Sequence, residues 1–168
     1  MNRSRLVVLA VVLTLLALAP AAGSAPAGVP PVPSLVSYQG HVLVGGVPYG
    51  TPAPQAGYFK FAVVDLAGTP AYWSNDGTSD TGEEPDGAVS LPVTNGLFSV
   101  LLGDTSLEGM KVALTADAFA GPDRLLRVWF SPSGSTGSFS QLLPDRRFTA
   151  TPYAFVAQEA ANAATLGG

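Results

Sequence analysis

The dipeptide Asn95-Gly96 restricts the fold more than any other feature of this sequence, because it stands between two runs with strand periodicity. Asn-Gly adopts the positive φ angles of a type I′ turn, which closes a two-residue β-hairpin. After the turn, three large apolar residues fall on one face of residues 97–102: Phe98, Val100 and Leu102. Before it, residues 88–94 contain Pro92, which cannot donate to a ladder and so predicts an edge strand or a bulge. We therefore expect a tight antiparallel hairpin at this point.

Further short runs of alternating or β-branched and aromatic residues predict additional strands: residues 34–44, 57–65, 71–74, 124–130 and 139–150, the last as one strand or a pair. Two of these runs direct large apolar side chains to the core: Phe59, Phe61 and Val63, and Leu126, Val128 and Phe130. One helical turn is expected near Ala116–Phe119. The strand spacing and the 19 glycines and 15 prolines predict an all-β domain over residues 34–150, an antiparallel β-sandwich of about seven strands.

The first 24 residues have the features of a secretory signal peptide. Arg3 and Arg5 precede an apolar run that ends at Pro20, and small residues follow. A membrane span needs about 20 apolar residues, so a retained anchor is the lesser alternative. Residues 25–33 (APAGVPPVP) form a Pro-rich leader, which is expected to be extended and semi-rigid. We therefore predict a secreted or cell-surface protein with no stable membrane insertion after signal cleavage.

Residues 151–168 (TPYAFVAQEAANAATLGG) predict an Ala-rich helical connector. Thr151 suits the N-cap, Pro152 suits the first helical position and Gly167 suits a helix stop. Small and apolar residues share one face at 3.6-residue spacing, and we assign an assembly role to four of them: Tyr153, Val156, Ala160 and Ala164. The other face is polar: Gln158, Glu159, Asn162 and Thr165. Because so short a helix is marginal alone in water, it needs the β-domain or a bundle of like chains to pack against.

Composition narrows the partners and the chemistry. The chain has no cysteine, which removes disulfides, thiol catalysis and thiolate metal sites. Without the two arginines of the signal peptide, six basic residues face twelve acidic ones, a net charge of −6. Nucleic acid and anionic membrane surfaces are therefore poor partners.

The order of several short motifs resembles that of a known class of domain. Tyr38-Gln39-Gly40 opens the first strand, Asn95-Gly96 precedes the alternating strand, Leu143-Pro144 follows, and Pro152-Tyr153-Ala154 begins the helix. This order resembles the N-terminal β-domain of many large exported bacterial proteins, where it precedes collagen-like, coiled-coil or phage tail-fibre-like stalks. One difference is Asp145, which separates Pro144 from Arg146 where that family often has Pro-Arg.

The resemblance covers residues 34–168 and implies a structural or adhesive role rather than a reaction. It implies a homo-oligomer, with a trimer favoured, or a stalk downstream of the domain. The final Ala-Ala-Thr-Leu-Gly-Gly is similar to the start of a connecting element in such proteins. This similarity leaves open a fragment of a longer protein or a short member that has no stalk.

No residue pattern predicts catalysis, and we expect neither an enzyme nor a cofactor. His41, the single histidine, lies on the polar face of its strand, where we expect it to face solvent. An acidic loop at residues 75–87 offers weak Ca²⁺ ligands whose spacing fits no EF-hand: Asp76, Asp80, Glu83, Glu84 and Asp86. A solvated acidic loop is the favoured interpretation. Arg146 and Arg147 are expected to pair with carboxylates or with the C-terminal helix.

Three aromatic residues, Tyr72, Trp73 and Trp129, suggest an alternative function as a carbohydrate-binding module. A rigid aromatic surface suits a sugar ring, although packing in the core is the favoured role of both tryptophans. A cation–π contact between Arg127 and Trp129, which share a strand face, is a further local possibility. The favoured prediction is a non-enzymatic exported head or capping domain of a fibre-like assembly.

Overall fold

The computed structural model describes residues 35–121 and 123–149. Within them the chain forms antiparallel strands and one short 3-10 helix at Ala116–Phe119, where a helical turn was predicted. The strands are β1 (Val36–His41), β2 (Leu43–Val44), β3 (Val47–Pro48), β4 (Gln55–Val64), β5 (Ala71–Ser74), β6 (Val89–Val93), β7 (Leu97–Leu102), β8 (Leu125–Ser131), β9 (Ser140–Gln141) and β10 (Arg146–Arg147). The predicted signal peptide, leader and C-terminal helix lie outside the described residues, as do the assembly residues Tyr153, Val156, Ala160 and Ala164.

The strands form a six-stranded sheet, a two-stranded sheet and a small hairpin. In the larger sheet β4 pairs with β8 on one side and with β5 and β6 along the other. The outer edge of β8 is divided in the same way between β9 and β10. The smaller sheet consists of β1 and β7, and β2 pairs with β3. The all-β class and the antiparallel pairing are therefore confirmed.

The number of strands differs from the expected seven. Of the ten strands in the described residues, β2, β3, β9 and β10 have two residues each. The single run predicted at 34–44 is divided into β1 and β2, and the run at 139–150 is the pair of short strands that was one of its two interpretations. Alternation predicts where apolar faces form, but not where pairing with a neighbour is interrupted.

The tight turn at Asn95-Gly96 is confirmed. Both residues have positive φ, 50° and 81°, and Thr94 and Leu97 exchange backbone hydrogen bonds of 3.0 and 2.9 Å. The two arms then separate, because β6 pairs with β4 and β7 pairs with β1. The turn therefore connects two sheets and does not close a long hairpin.

One hydrophobic core joins the side chains of the two sheets. Phe59 of β4 and Phe98 of β7 have ring centroids 4.1 Å apart, and Phe130 of β8 lies 5.1 Å from Phe59. The predicted inward residues of β4, β7 and β8 are all buried: Phe59, Phe61, Val63, Phe98, Val100, Leu102, Leu126, Val128 and Phe130. Because β1 pairs with β7, and Tyr38 of β1 packs against Phe98, this core also positions β1, the edge strand that borders the site described below.

The opposite face of β4 is buried as well, which the alternation did not predict. Lys60 points away from Phe59 and Phe61 as expected, yet it is only 6% exposed. Its ammonium lies 2.7 Å from Glu84 Oε1 and 4.2 Å from the ring centroid of Phe139. A second small cluster of Ala62, Val64 and Trp129 covers the same face. Burial of Lys60 is tolerated because its charge is paired.

Candidate functional site

A groove of about 910 Å³ lies between β1 and the segment that carries β9 and β10; we call it the β1–β10 groove. One wall is the edge strand β1, and the other runs from Gln141 to Thr149. Three buried apolar side chains of β7 and β8 line its interior: Phe98, Leu126 and Val128. Its volume is within the range of ligand pockets, about 300–1,000 Å³.

Gly40 of β1 sets the shape of this groove. A Cβ at this position would lie 2.5 Å from two carbon atoms of the Phe98 ring, so glycine is needed for the ring to pack beneath the strand. Tyr38, two residues earlier, places its ring centroid 5.9 Å from that of Phe98. Burial raises the pKa of the Tyr38 hydroxyl, and the positive charge of Arg146 opposes that rise. The Tyr-Gln-Gly stretch thus has a packing role that its sequence alone does not reveal.

The rim of the groove carries cationic and polar side chains. Arg147 pairs with Asp123, as the prediction of a carboxylate partner required. Arg146 contributes a positive charge near Tyr38. His41 is exposed at the end of β1, where the strand alternation placed it. This distribution gives an apolar interior with a basic rim on the β10 side.

A smaller apolar hollow of about 180 Å³ lies beside the groove and shares Val36 with it; we call it the exit hollow. Its lining is almost entirely apolar: Leu35, Val36, Leu114, Thr115, Ala116 and Phe119. The Phe119 ring meets the Phe148 ring edge-on at 5.1 Å. The first described residue, Leu35, therefore lies close to the place where the chain leaves β10.

The three aromatic residues proposed for sugar binding do not form one surface. Trp73 and Trp129 are each only 6% exposed. Trp73 packs in the main core and donates from Nε1 to the Val112 carbonyl at 3.0 Å, whereas Trp129 belongs to the second cluster. Tyr72 is 40% exposed, but the Arg124 guanidinium covers one ring face at 3.6 Å. The platform is not present in this arrangement.

The acidic loop is organised by its own hydrogen bonds. Glu83 accepts from the backbone N–H of Asp80, and from the N–H and hydroxyl of Thr81. These bonds lower the pKa of Glu83 to about 2. Glu84 pairs with Lys60 instead. Within residues 35–121 and 123–149, no three acidic or histidine side chains come together as a metal site.

The carboxylate of Asp76 links the beginning of the acidic loop to its end, because it accepts a hydrogen bond from the backbone N–H of Gly87. Asp86 contributes a hydrogen bond from its backbone N–H. Burial raises the pKa of Asp76, but hydrogen bonds from the backbone N–H of Gly87 and from Thr78 outweigh it, so the pKa is lower than usual. The N–H of Asp86 donates to the Thr78 hydroxyl at 2.8 Å. The carboxylates of Asp76 and Glu83 thus act as acceptors for the backbone of the loop itself.

Sequence reasoning missed Asn75, which is fully buried. Its Oδ1 accepts from the N–H of Phe61 at 2.9 Å, and its Nδ2 donates to the carbonyls of Gly87 and Gly109, each at 2.9 Å. Its backbone carbonyl also accepts from the N–H of Lys111 at 2.6 Å. One side chain therefore joins β4, the acidic loop and the segment after β7. The sequence offered one weak indication of this role: Asn75 directly follows the run predicted as a strand at residues 71–74 and begins the polar loop.

A cation–π contact with Trp129 was one possible role for Arg127, but the partner of Arg127 in the structure is Asp145. The guanidinium lies 2.9 Å from Asp145 Oδ2 and donates to the carbonyls of Gly68 and Gly82 at 3.2 and 2.7 Å. Asp145 also accepts from Gln141 at 2.9 Å. The aspartate that separates Pro144 from Arg146 therefore fastens the β9–β10 segment to β8. It thereby positions one wall of the groove.

This geometry defines an antiparallel all-β domain with an apolar groove at the edge of its smaller sheet. Comparison with protein-family models, with curated proteins and with solved structures found no match. The described part of the chain contains no helix of the length and hydropathy that a membrane span requires.

Proposed function

We propose that this chain is an exported, non-enzymatic structural or adhesion module, the head or capping domain of a cell-surface or secreted fibre-like assembly. The signal-peptide pattern and the order of motifs support this proposal. Its finer fold is a two-layer β-sandwich, which the ring contacts between β4 and β7 support. The predicted helix at residues 151–168 then connects the domain to like chains, with a trimer favoured.

The observation that carries the proposal is the position of the two ends of the domain. Leu35 lines the exit hollow, and Phe148 packs against Phe119 of the same hollow. Leu35 and Phe148, which lie near the two ends of the described residues, are therefore at the same apolar end of the domain. A domain attached at one end, with its opposite end free, suits a head at the tip of a stalk.

The buried polar side chains give further support for a structural role. Asn75, Arg127 and Lys60 each join segments that are distant in sequence. The described residues contain no buried side-chain nitrogen or oxygen without a partner. Such satisfied networks make a domain rigid, which a head or capping module requires.

The test is the solution mass of the chain from Ala25 onward, measured by light scattering. We expect a trimer, and Ala160→Glu with Ala164→Glu should yield a monomer because two buried charges disrupt the alanine stripe. The matched control, Gln158→Glu with Thr165→Glu, adds the same charges to the polar face and should preserve the trimer. A monomer in all three proteins would contradict the proposed assembly.

A further inference from the structure

The exit hollow has the size and the lining of a seat for one aromatic ring. Its volume is about 180 Å³ and it is open to solvent; an enclosed apolar cavity of about 150 Å³ holds a benzene ring, so the hollow has room for one ring. The residues around it are apolar apart from Thr115. Leu35 remains 42% exposed at its edge. A side chain that fills the hollow would cover this apolar surface.

The chain leaves the domain beside this hollow. Phe148 contacts Phe119, which lines the hollow, and residues 149–151 then lead to the predicted helix. Phe155 follows Phe148 by seven residues. Non-helical residues extend at most about 3.6 Å each and helical ones about 1.5 Å each, so Phe155 can reach the hollow. A site next to its own tether is filled at high effective concentration.

Phe155 also lies on the appropriate side of the predicted helix. At about 100° per residue, it is about 200° from Tyr153, on the side that carries Gln158, Glu159 and Asn162. Phe155 and Leu166 are the large apolar residues of this side, and Phe155 is the one nearer to the β-domain in the sequence. A helix that binds the domain through Phe155 therefore directs its alanine stripe away from the domain.

We propose that the exit hollow binds the side chain of Phe155 from the same chain. The proposal rests on the proposed function, because it explains how one helix is fixed to its own domain while the stripe of Ala160 and Ala164 contacts other chains. The anchor sets the direction in which the connector leaves the head.

The absence of cysteine from the chain permits a direct test. Ala116 lines the hollow and is exposed, so Ala116→Cys leaves the core intact. Paired with Phe155→Cys in the chain from Ala25, it should form a disulfide within one chain under mild oxidation. The control pair Ala116→Cys with Ala157→Cys, on the opposite helix face, should remain reduced. A disulfide between two chains would overturn the proposal, since a second copy would then occupy the hollow. Equal oxidation of both pairs, or of neither, would also overturn it.

A second experiment blocks the hollow without cross-linking. Ala116→Trp fills it from the surface, whereas Ala113→Trp adds the same ring at an exposed position outside the lining. Deuterium exchange should show loss of protection in residues 152–158 for Ala116→Trp and no loss for Ala113→Trp. Unchanged protection in both would refute the anchor.

The same samples distinguish this inference from the proposed function. Light scattering reports the contact between chains, and the disulfide and exchange measurements report the contact within a chain. A trimer without the 116–155 disulfide would reject the anchor but retain the assembly. A monomer with that disulfide would reject the assembly but retain the anchor.

Discussion

Replacing the buried Asn75 by alanine tests whether one side chain holds the loops of this domain together. The side-chain amide is fully buried and makes three hydrogen bonds of 2.9 Å, to Phe61, Gly87 and Gly109. Asn75→Ala removes these bonds and leaves one backbone N–H and two backbone carbonyls without those partners. The residue itself stays small enough to fit, so the effect reports lost hydrogen bonds and not overpacking.

The size of the effect follows from the cost of unsatisfied groups. Each buried donor or acceptor that loses its partner costs about 1–3 kcal/mol. Because three such groups lose their partners, the summed cost is larger than the effect of most single substitutions. A water molecule that enters the space left by the side chain restores part of the lost hydrogen bonding. We therefore expect Asn75→Ala to lower the free energy of unfolding by about 3–5 kcal/mol.

Urea unfolding followed by tryptophan fluorescence provides the assay, since Trp73 and Trp129 are both buried and report on the main core and the second cluster. Asn75→Asp is the informative companion: it keeps the acceptor for the Phe61 N–H but loses both donated bonds, so it should also be strongly destabilising. Ser99→Ala, at an exposed position of β7, should change stability by less than about 0.5 kcal/mol. A loss below about 1 kcal/mol for Asn75→Ala would refute the claim that these bonds join the loops.

Three further substitutions test the groove and the acidic loop. Gly40→Ala forces a Cβ against the Phe98 ring and should cost about 1–3 kcal/mol; urea midpoints equal to wild type would show that the ring moves freely. Asp145→Ala leaves the mostly buried Arg127 without its carboxylate, which is 2.9 Å away, and should cost about 2–3 kcal/mol. The double replacement Arg127→Met with Asp145→Leu should recover much of that loss, and no recovery would argue against an uncompensated charge as the cause. The pKa of Glu83 is lowered from 4.5 to about 2, so its contribution to stability is present above pH 4.5 and lost as the pH falls towards 2. Glu83→Gln should flatten the acid limb of stability against pH within that window, and an unchanged limb would contradict the assignment.

Several elements were predictable because their signals are local. The positive φ angles at Asn95-Gly96 follow from the conformational preferences of those two residues. Alternation correctly placed Phe98, Val100 and Leu102 inside, since successive side chains of a strand point to opposite faces. Pro92 was expected at an edge or a bulge, and β6 pairs along its length with β4 alone.

The candidate site was much less predictable. The groove depends on β1 and β10 lying at the borders of different sheets, although more than 100 residues separate them in the chain. For Trp73 and Trp129 the favoured prediction, packing in the interior, is confirmed, because each is only 6% exposed; residue type alone had left a ligand-binding role open as the alternative. Packing against Val112 and the second cluster placed Trp73 and Trp129 in the interior.

Local sequence was enough to predict the strand periodicity, the tight turn, the edge position of β6 and the inward residues of each long strand. All of these depend on backbone preferences and on the alternation of neighbouring side chains. Three further features appear first in the folded domain: β6 and β7 enter different sheets, Asn75 joins three segments, and Arg127 binds Asp145. Each of these features depends on hydrogen bonds between residues far apart in the chain, and a local pattern does not specify which distant partner will satisfy them.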